Sequence, residues 1–291
     1  MSKIKILTDS ASDIDKKTAE EYGIHVIGFS IVFDGKEYTE GVDFTAEEFY
    51  EMMSSSSDFP KTSQIKTEQF TECFEKFFDE GYTDVIYISI SSTGSATHGN
   101  SVAAKEAFYE KHPEAAEKMN IHIVDSLNYT AAYGYPAIEA ANKANRGADA
   151  DEIIAYLEDW IPCAELHFVA YTLEYVKRSG RLSAAAAFMG ELLGLKPIIT
   201  VTDGVSSVPE KIRGEKNIIP KMIELAKKNM IPQTPYALLE GSLPEESEVF
   251  KKEITKAIGY PPERVFKIGS TISCHAGHKV IGFVIKGQKR G

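Results

Sequence analysis

The sequence is poor in cysteine, tryptophan and positive charge. Of its 291 residues, three are cysteine and one is tryptophan. Cys73, Cys163 and Cys274 are odd in number, far apart and in no CxxC pair, which argues against a disulfide framework or a thiolate zinc site and fits a reducing cytoplasm. The 32 basic residues are outnumbered by 43 acidic ones, and a formal charge of −11 repels phosphate backbones and anionic lipid surfaces, so nucleic acid is not expected as a partner. No run of 18 apolar residues occurs, and the opening MSKIKILTDS has no signal-peptide core, so neither a membrane span nor that export route is expected. Neither GxxxxGK nor GxGxxG appears.

What is present is the composition of an ordinary globular protein, 43% hydrophobic and 26% charged. The length exceeds that at which one core usually stops growing, so two domains are expected, residues 1–162 and 163–291. In the first, strands at Lys3 to Thr8, Ile24 to Phe33, Val85 to Ile90 and Ile121 to Val124 alternate with helices at Asp13 to Tyr22, Ser101 to Lys111 and Ala131 to Ala144. Thr45 opens a capping box, 54–61 reads as a breaker loop, and Phe70, Cys73, Phe74, Phe77 and Phe78 form the apolar stripe of a further helix. Such alternation predicts an α/β fold, a parallel sheet flanked by helices. The second half reads as α/β with a mixed or antiparallel sheet: a strand at Leu166 to Thr172, a hairpin through Asp203-Gly204, a helix near Ile218 to Lys228, and strands at Ala237 to Glu240, Val265 to Ile268 and Val280 to Ile285.

Ligands of a parallel sheet bind beyond the carboxyl ends of its strands, where the loops at Asp9-Ser10, Ser91 to Gly99 and Asp125-Ser126 gather. The middle loop, within ISISSTGSATHGN, offers small residues and hydroxyls at a helix start. A phosphate, a carboxylate or a scissile carbonyl fits it. With no lysine or metal carboxylates nearby it is poorly equipped for a nucleoside triphosphate. Ser95 is not in GxSxG, and His98 reads as an ordinary exposed residue. His275 and His278 form an HxxH without the carboxylate spacing of a metal site, so no metal is expected. Asp13 fits a helix N-cap rather than a phosphoryl-transfer aspartate. AAAAFMGELLG at 184–194 reads either as core or as the wall of a deep apolar groove.

Six segments in one order, IKILTDSASDI, PKTSQIKTEQF, ISSTGSATHGNSVAA, IVDSLNYTAAYG, VKRSGRLS with GLKPII, and KIRGEKN, resemble the DegV family of fatty-acid-binding proteins along nearly the whole chain. The resemblance implies one long-chain fatty acid, palmitate-like in size, in a tunnel between the domains, its carboxylate held by Thr62 and Ser95, with Ser63 and His275 alongside. The first domain would carry the head-group loops and the second the tunnel wall. No cofactor or catalytic residue is implied, and the protein is expected to be a cytoplasmic carrier that presents its ligand to a dihydroxyacetone-kinase-like fatty-acid kinase. Lys177, Arg178 and Arg181 are a candidate docking patch for that kinase. Departures from the family pattern fall at Gly94, Ala96 and His98, and at Gly277-His278-Lys279. The energetics agree: at about 0.8 kcal/mol per buried methylene, a sixteen-carbon chain has a gross driving force of roughly 10 kcal/mol, so hydroxyls would serve orientation more than strength. The competing reading is an acyl or phosphoryl transferase or hydrolase using Ser95 or His275.

Overall fold

A computed structural model describes residues 3–181 and 194–290. The 184–194 segment read as a possible groove wall lies outside the described residues except for Gly194. Four parallel strands, β1 (Ile4–Asp9), β2 (His25–Ile27), β6 (Asp84–Ser89) and β7 (Asn120–Asp125), form a sheet in the order β2-β1-β6-β7. β6 is buried along its whole length, as its unbroken apolar run requires in a sheet covered on both faces. On helix α3 (Thr67–Asp79) the phenylalanine stripe is core: Phe70, Phe74 and Phe77 are buried against the sheet. The Thr45 box caps helix α2 (Ala46–Ser55).

Three local readings of the sequence are corrected. Ile24 to Phe33 is not one strand, because the chain turns at Gly28, where a Cβ would lie 2.5 Å from the Glu40 carbonyl oxygen. Beyond it, β3 (Ser30–Phe33) leaves the parallel sheet to pair with β4 (Lys36–Thr39) and with β5 (Lys61–Ser63), forming a small antiparallel sheet. The first helix, α1 (Lys16–Tyr22), is capped by Asp15, whose carboxylate accepts from Thr18 N–H at 2.9 Å. Asp13 instead sits buried in the left-handed region at φ 57°. Helix α4 begins at Thr97, earlier than expected, and runs to Lys111.

The second sheet has six strands in the order β10-β9-β8-β13-β11-β12: β8 (Ala164–Ala170), β9 (Leu195–Thr202), β10 (Val205–Arg213), β11 (Tyr236–Glu240), β12 (Arg264–Lys267) and β13 (Val280–Lys286). All pairs are antiparallel except β11 with β12. One apolar cluster runs from the first sheet, through helix α5 (Ala131–Asn145) beside helix α6 (Ala150–Trp160), to the near face of the second sheet at Leu166, Phe168, Val201 and Leu239. The far face packs on Met222, Leu225, Phe250 and Ile254. Short helix α7 spans Glu174–Ser179, and Met222 and Leu225 belong to α8 (Ile218–Asn229). Three helices were not expected from sequence, α7, α9 (Pro244–Ile258) and α10 (Ser270–Ala276).

Candidate functional site

The parallel order brings the loops after β1, β6 and β7 side by side, and hydrogen bonds join them. Ser91 N–H donates to the Asn128 carbonyl at 3.0 Å, and Thr130 N–H to that of Ala11 at 3.0 Å. The Ser91 carbonyl accepts from both Gly94 and Ser95 N–H, at 3.1 and 3.2 Å, which folds SSTGS into a tight turn ahead of α4. The β9–β10 hairpin docks on that turn: Thr93 Oγ1 donates to the Gly204 carbonyl at 2.8 Å, and Gly204 N–H to that of Leu127 at 2.6 Å.

These contacts enclose a cavity of about 830 Å³ between the two larger sheets. Its apolar wall comes from Leu166 and Phe168 of β8, Val201 of β9, Leu239 of β11 and Val280 of β13, with Phe29, Ile90 and Ile268 completing it. Its polar part includes Thr62, Thr93, Ser95, Tyr129, Arg181 and His275. The volume falls within the few hundred to about 1,000 Å³ usual for small-molecule sites, and the lining mixes apolar and polar groups in comparable measure.

Of the residues singled out from sequence, Thr62, Ser95 and His275 line this cavity. Thr62 Oγ1 lies 3.0 Å from His275 Nε2, joining β5 to α10. Burial, with the Arg181 charge adding to it, lowers the His275 pKa from 6.5 to about 4, so the ring is neutral near pH 7. Its Nδ1 is buried without a hydrogen-bond partner among the described residues. Ser95 Oγ donates to Thr97 Oγ1 at 2.9 Å and accepts from Thr97 N–H at 3.2 Å. Ser63 is not brought to the cavity: strand alternation turns it away from Thr62, and it is exposed opposite Ser30.

No base reaches Ser95 among the described residues. His98, expected to be merely exposed, is half-buried with Nδ1 3.0 Å from Ser89 Oγ, and His275 faces Thr62. His278 is also committed elsewhere, its Nδ1 2.6 Å from Ser242 Oγ and its ring stacked on Tyr50. Among the described residues there is no cluster of three or more histidine, cysteine, aspartate or glutamate side chains fit to hold a metal.

The buried carboxylates build the site without lining it. Asp9 accepts from Tyr133 Oη at 2.6 Å, Tyr87 Oη at 2.8 Å and Ile90 N–H at 3.0 Å. Asp13 accepts from Thr130 Oγ1 at 2.5 Å and Gly269 N–H at 2.8 Å. Glu40 accepts from Ser10 Oγ at 2.6 Å, and from Thr271 N–H and Oγ1 at 2.9 and 2.5 Å. Burial raises the pKa of all three. Asp13 and Glu40 thus fix the start of α10, the helix that delivers His275.

Sequence reasoning did not place Tyr129 in the cavity or assign Arg181 to its wall. Arg181, counted within a solvated patch with Lys177 and Arg178, is indeed exposed, and it also lines the cavity and bears electrostatically on His275. Arg178 does face outward, stacked 3.7 Å from the Phe59 ring centroid and paired with Glu174 at 3.3 Å. Tyr129 gave no signal, since an aromatic in a loop is as often packing as wall.

A protein-family model, described as "Uncharacterised protein, DegV family", matches residues 3–287. The chain belongs to the DegV family. A DegV domain-containing protein of Clostridium perfringens is 32% identical over 285 residues, covering 96% of this chain and 97% of its own. Among solved DegV-like folds, a stearic-acid-binding protein from Eubacterium ventriosum superposes with a TM-score of 0.87 at 26% identity, covering 98% of both chains. DegV from Bacillus subtilis, a fatty-acid-binding protein, gives 0.83 at 28% identity, covering 98% of this chain and 99% of its own. The expected α/β architecture, a parallel sheet with helices plus a mixed second sheet, is therefore that of the DegV family. No helix among the described residues is long and apolar enough to cross a membrane.

Proposed function

We propose that this chain binds one long-chain fatty acid in the cavity between the two sheets. The observation that carries the reading is the cavity itself, whose apolar wall meets a small group of hydroxyls and a neutral histidine. The ligands of the Eubacterium and Bacillus relatives support the same assignment. Thr62 and Ser95 hold the carboxylate. Neutral His275 donates from Nε2 to Thr62 Oγ1, which leaves the threonine proton for the ligand, while Ser95 redirects its proton from Thr97. A buried carboxylate needs such charge-assisted hydrogen bonds, and Arg181 at the wall adds a cation. In this reading residues up to 162 carry most of the head-group loops, and those from 163 supply most of the acyl wall together with His275.

The protein serves as a cytoplasmic, non-catalytic carrier that presents the carboxylate to a dihydroxyacetone-kinase-like fatty-acid kinase. Organic extraction of the purified protein, followed by mass spectrometry, tests the binding. About one long-chain fatty acid per chain is expected. Protein that yields no acyl chain, and that takes up none after addition of fatty acid, refutes the reading. Turnover of an ester or phosphate by such empty protein would favour the transferase or hydrolase instead.

A further inference from the structure

We infer that Tyr129 is a ligand-contacting residue, its phenol O–H donating to the anionic head of the bound molecule beside Ser95. The inference rests on the fatty-acid reading and adds a residue to it. Tyr129 lines the cavity and is half-buried, and its hydroxyl makes no hydrogen bond to any described residue. A phenol normally finds a partner when it is buried, so a hydroxyl left to a cavity is available to what fills it.

Its position is set on two sides. Against the SSTGS turn, the ring occupies the space that a side chain at position 94 would take. A Cβ on Gly94 would lie 2.8 Å from ring Cε1 and 2.9 Å from Cζ, with the hydroxyl oxygen closer still. The hydroxyl therefore rests against the peptide preceding Ser95.

Along its own chain, Tyr129 stands between two non-glycine residues with positive φ, Leu127 at 49° and Thr130 at 52° with ψ −139°. Strained backbone of this kind persists only where surrounding contacts fix it. Here Asp125 Oδ1 accepts from Leu127 N–H at 3.0 Å, Asn128 Oδ1 from Tyr129 N–H at 3.1 Å, and buried Asp13 from Thr130 Oγ1 at 2.5 Å.

Tyr129→Phe removes the hydroxyl and keeps the ring. Wild type and variant, stripped of lipid, would be titrated with palmitate and with methyl palmitate. The variant is expected to bind palmitate about tenfold more weakly, the loss of one hydrogen bond to a charged group. Its affinity for the uncharged ester should change far less. Equal palmitate affinity in the two proteins overturns the inference, and so does an equal loss for acid and ester, which would mark the residue as packing. Wild type that binds neither probe removes the fatty-acid reading itself, an outcome distinct from either of these.

Discussion

Replacing Asp9 separates a structural role for the opening TDSASDI from a catalytic one. Asp9 is fully buried, and three donors converge on it from Tyr87, Tyr133 and Ile90. Asp9→Ala strands all three. At about 1–3 kcal/mol for each unsatisfied buried donor, the loss is about 3–9 kcal/mol, a large part of the roughly 5–15 kcal/mol that holds a domain folded. Asp9→Asn keeps one acceptor oxygen and should cost about half as much. Urea denaturation followed by the single tryptophan reads this directly. Trp160 is buried against α5, the helix that carries Tyr133, with its ring centroid 4.9 Å from that of Tyr135. The pH dependence has a definite sign. Burial raises the Asp9 pKa above 3.8, so the folded state keeps a proton that the unfolded chain has already released. That contribution is fully present below the unfolded value and is lost as pH rises through the folded one. Asparagine has no such loss, so the deficit of Asp9→Asn should be largest in acid and shrink toward neutrality. A loss below about 1 kcal/mol for Asp9→Ala, or a deficit of Asp9→Asn that grows with pH, would refute the reasoning.

The remaining expectations concern the ligand and the partner. Ser95→Ala should weaken fatty-acid binding by about tenfold without emptying the cavity, because the acyl chain supplies most of the affinity. Val201→Trp, which projects bulk from the apolar wall, should abolish lipid recovery, and equal lipid content in the two purified variants would contradict the assignment of head and tail. Reversing Arg178 to glutamate should release a captured kinase while leaving bound lipid in place. Arg181→Glu should affect both, since Arg181 lines the cavity; it should also raise the His275 pKa somewhat while burial still holds it below the usual imidazole value, a change that histidine NMR titration reads directly.

The architecture was legible in the sequence wherever periodicity and burial agree. The apolar run at 85–90 could only be a central strand, and the phenylalanine stripe could only be one face of a helix packed on it. The parallel sheet then placed three loops at one edge without any further information. What could not be read depended on contacts distant in the chain. Lys61–Ser63 has no strand pattern of its own and becomes one because β3, released at Gly28, offers it a free edge. The helix Ser270–Ala276 is short and rich in β-branched and small polar residues, and its start is fixed by Asp13 and Glu40, each more than 200 positions away.

The same distinction explains how the candidate site was read. Thr62 and Ser95 could be carried over because they sit in local motifs, whereas Ser63 was included by adjacency and is turned away by the alternation of the strand that carries Thr62. Tyr129 and Arg181 reach the cavity through a strained loop and a short helical turn, neither with a local signature. In the sequence Asp13 reads as a helix cap rather than as chemistry, and in the fold Asp9 and Asp13 accept hydrogen bonds from the groups that shape the cavity. Such carboxylates, buried and without a cation, keep the surrounding hydroxyls and amides in single positions. In the proposed reading, this leaves the Thr62 hydroxyl, beside a neutral histidine, to donate to the ligand.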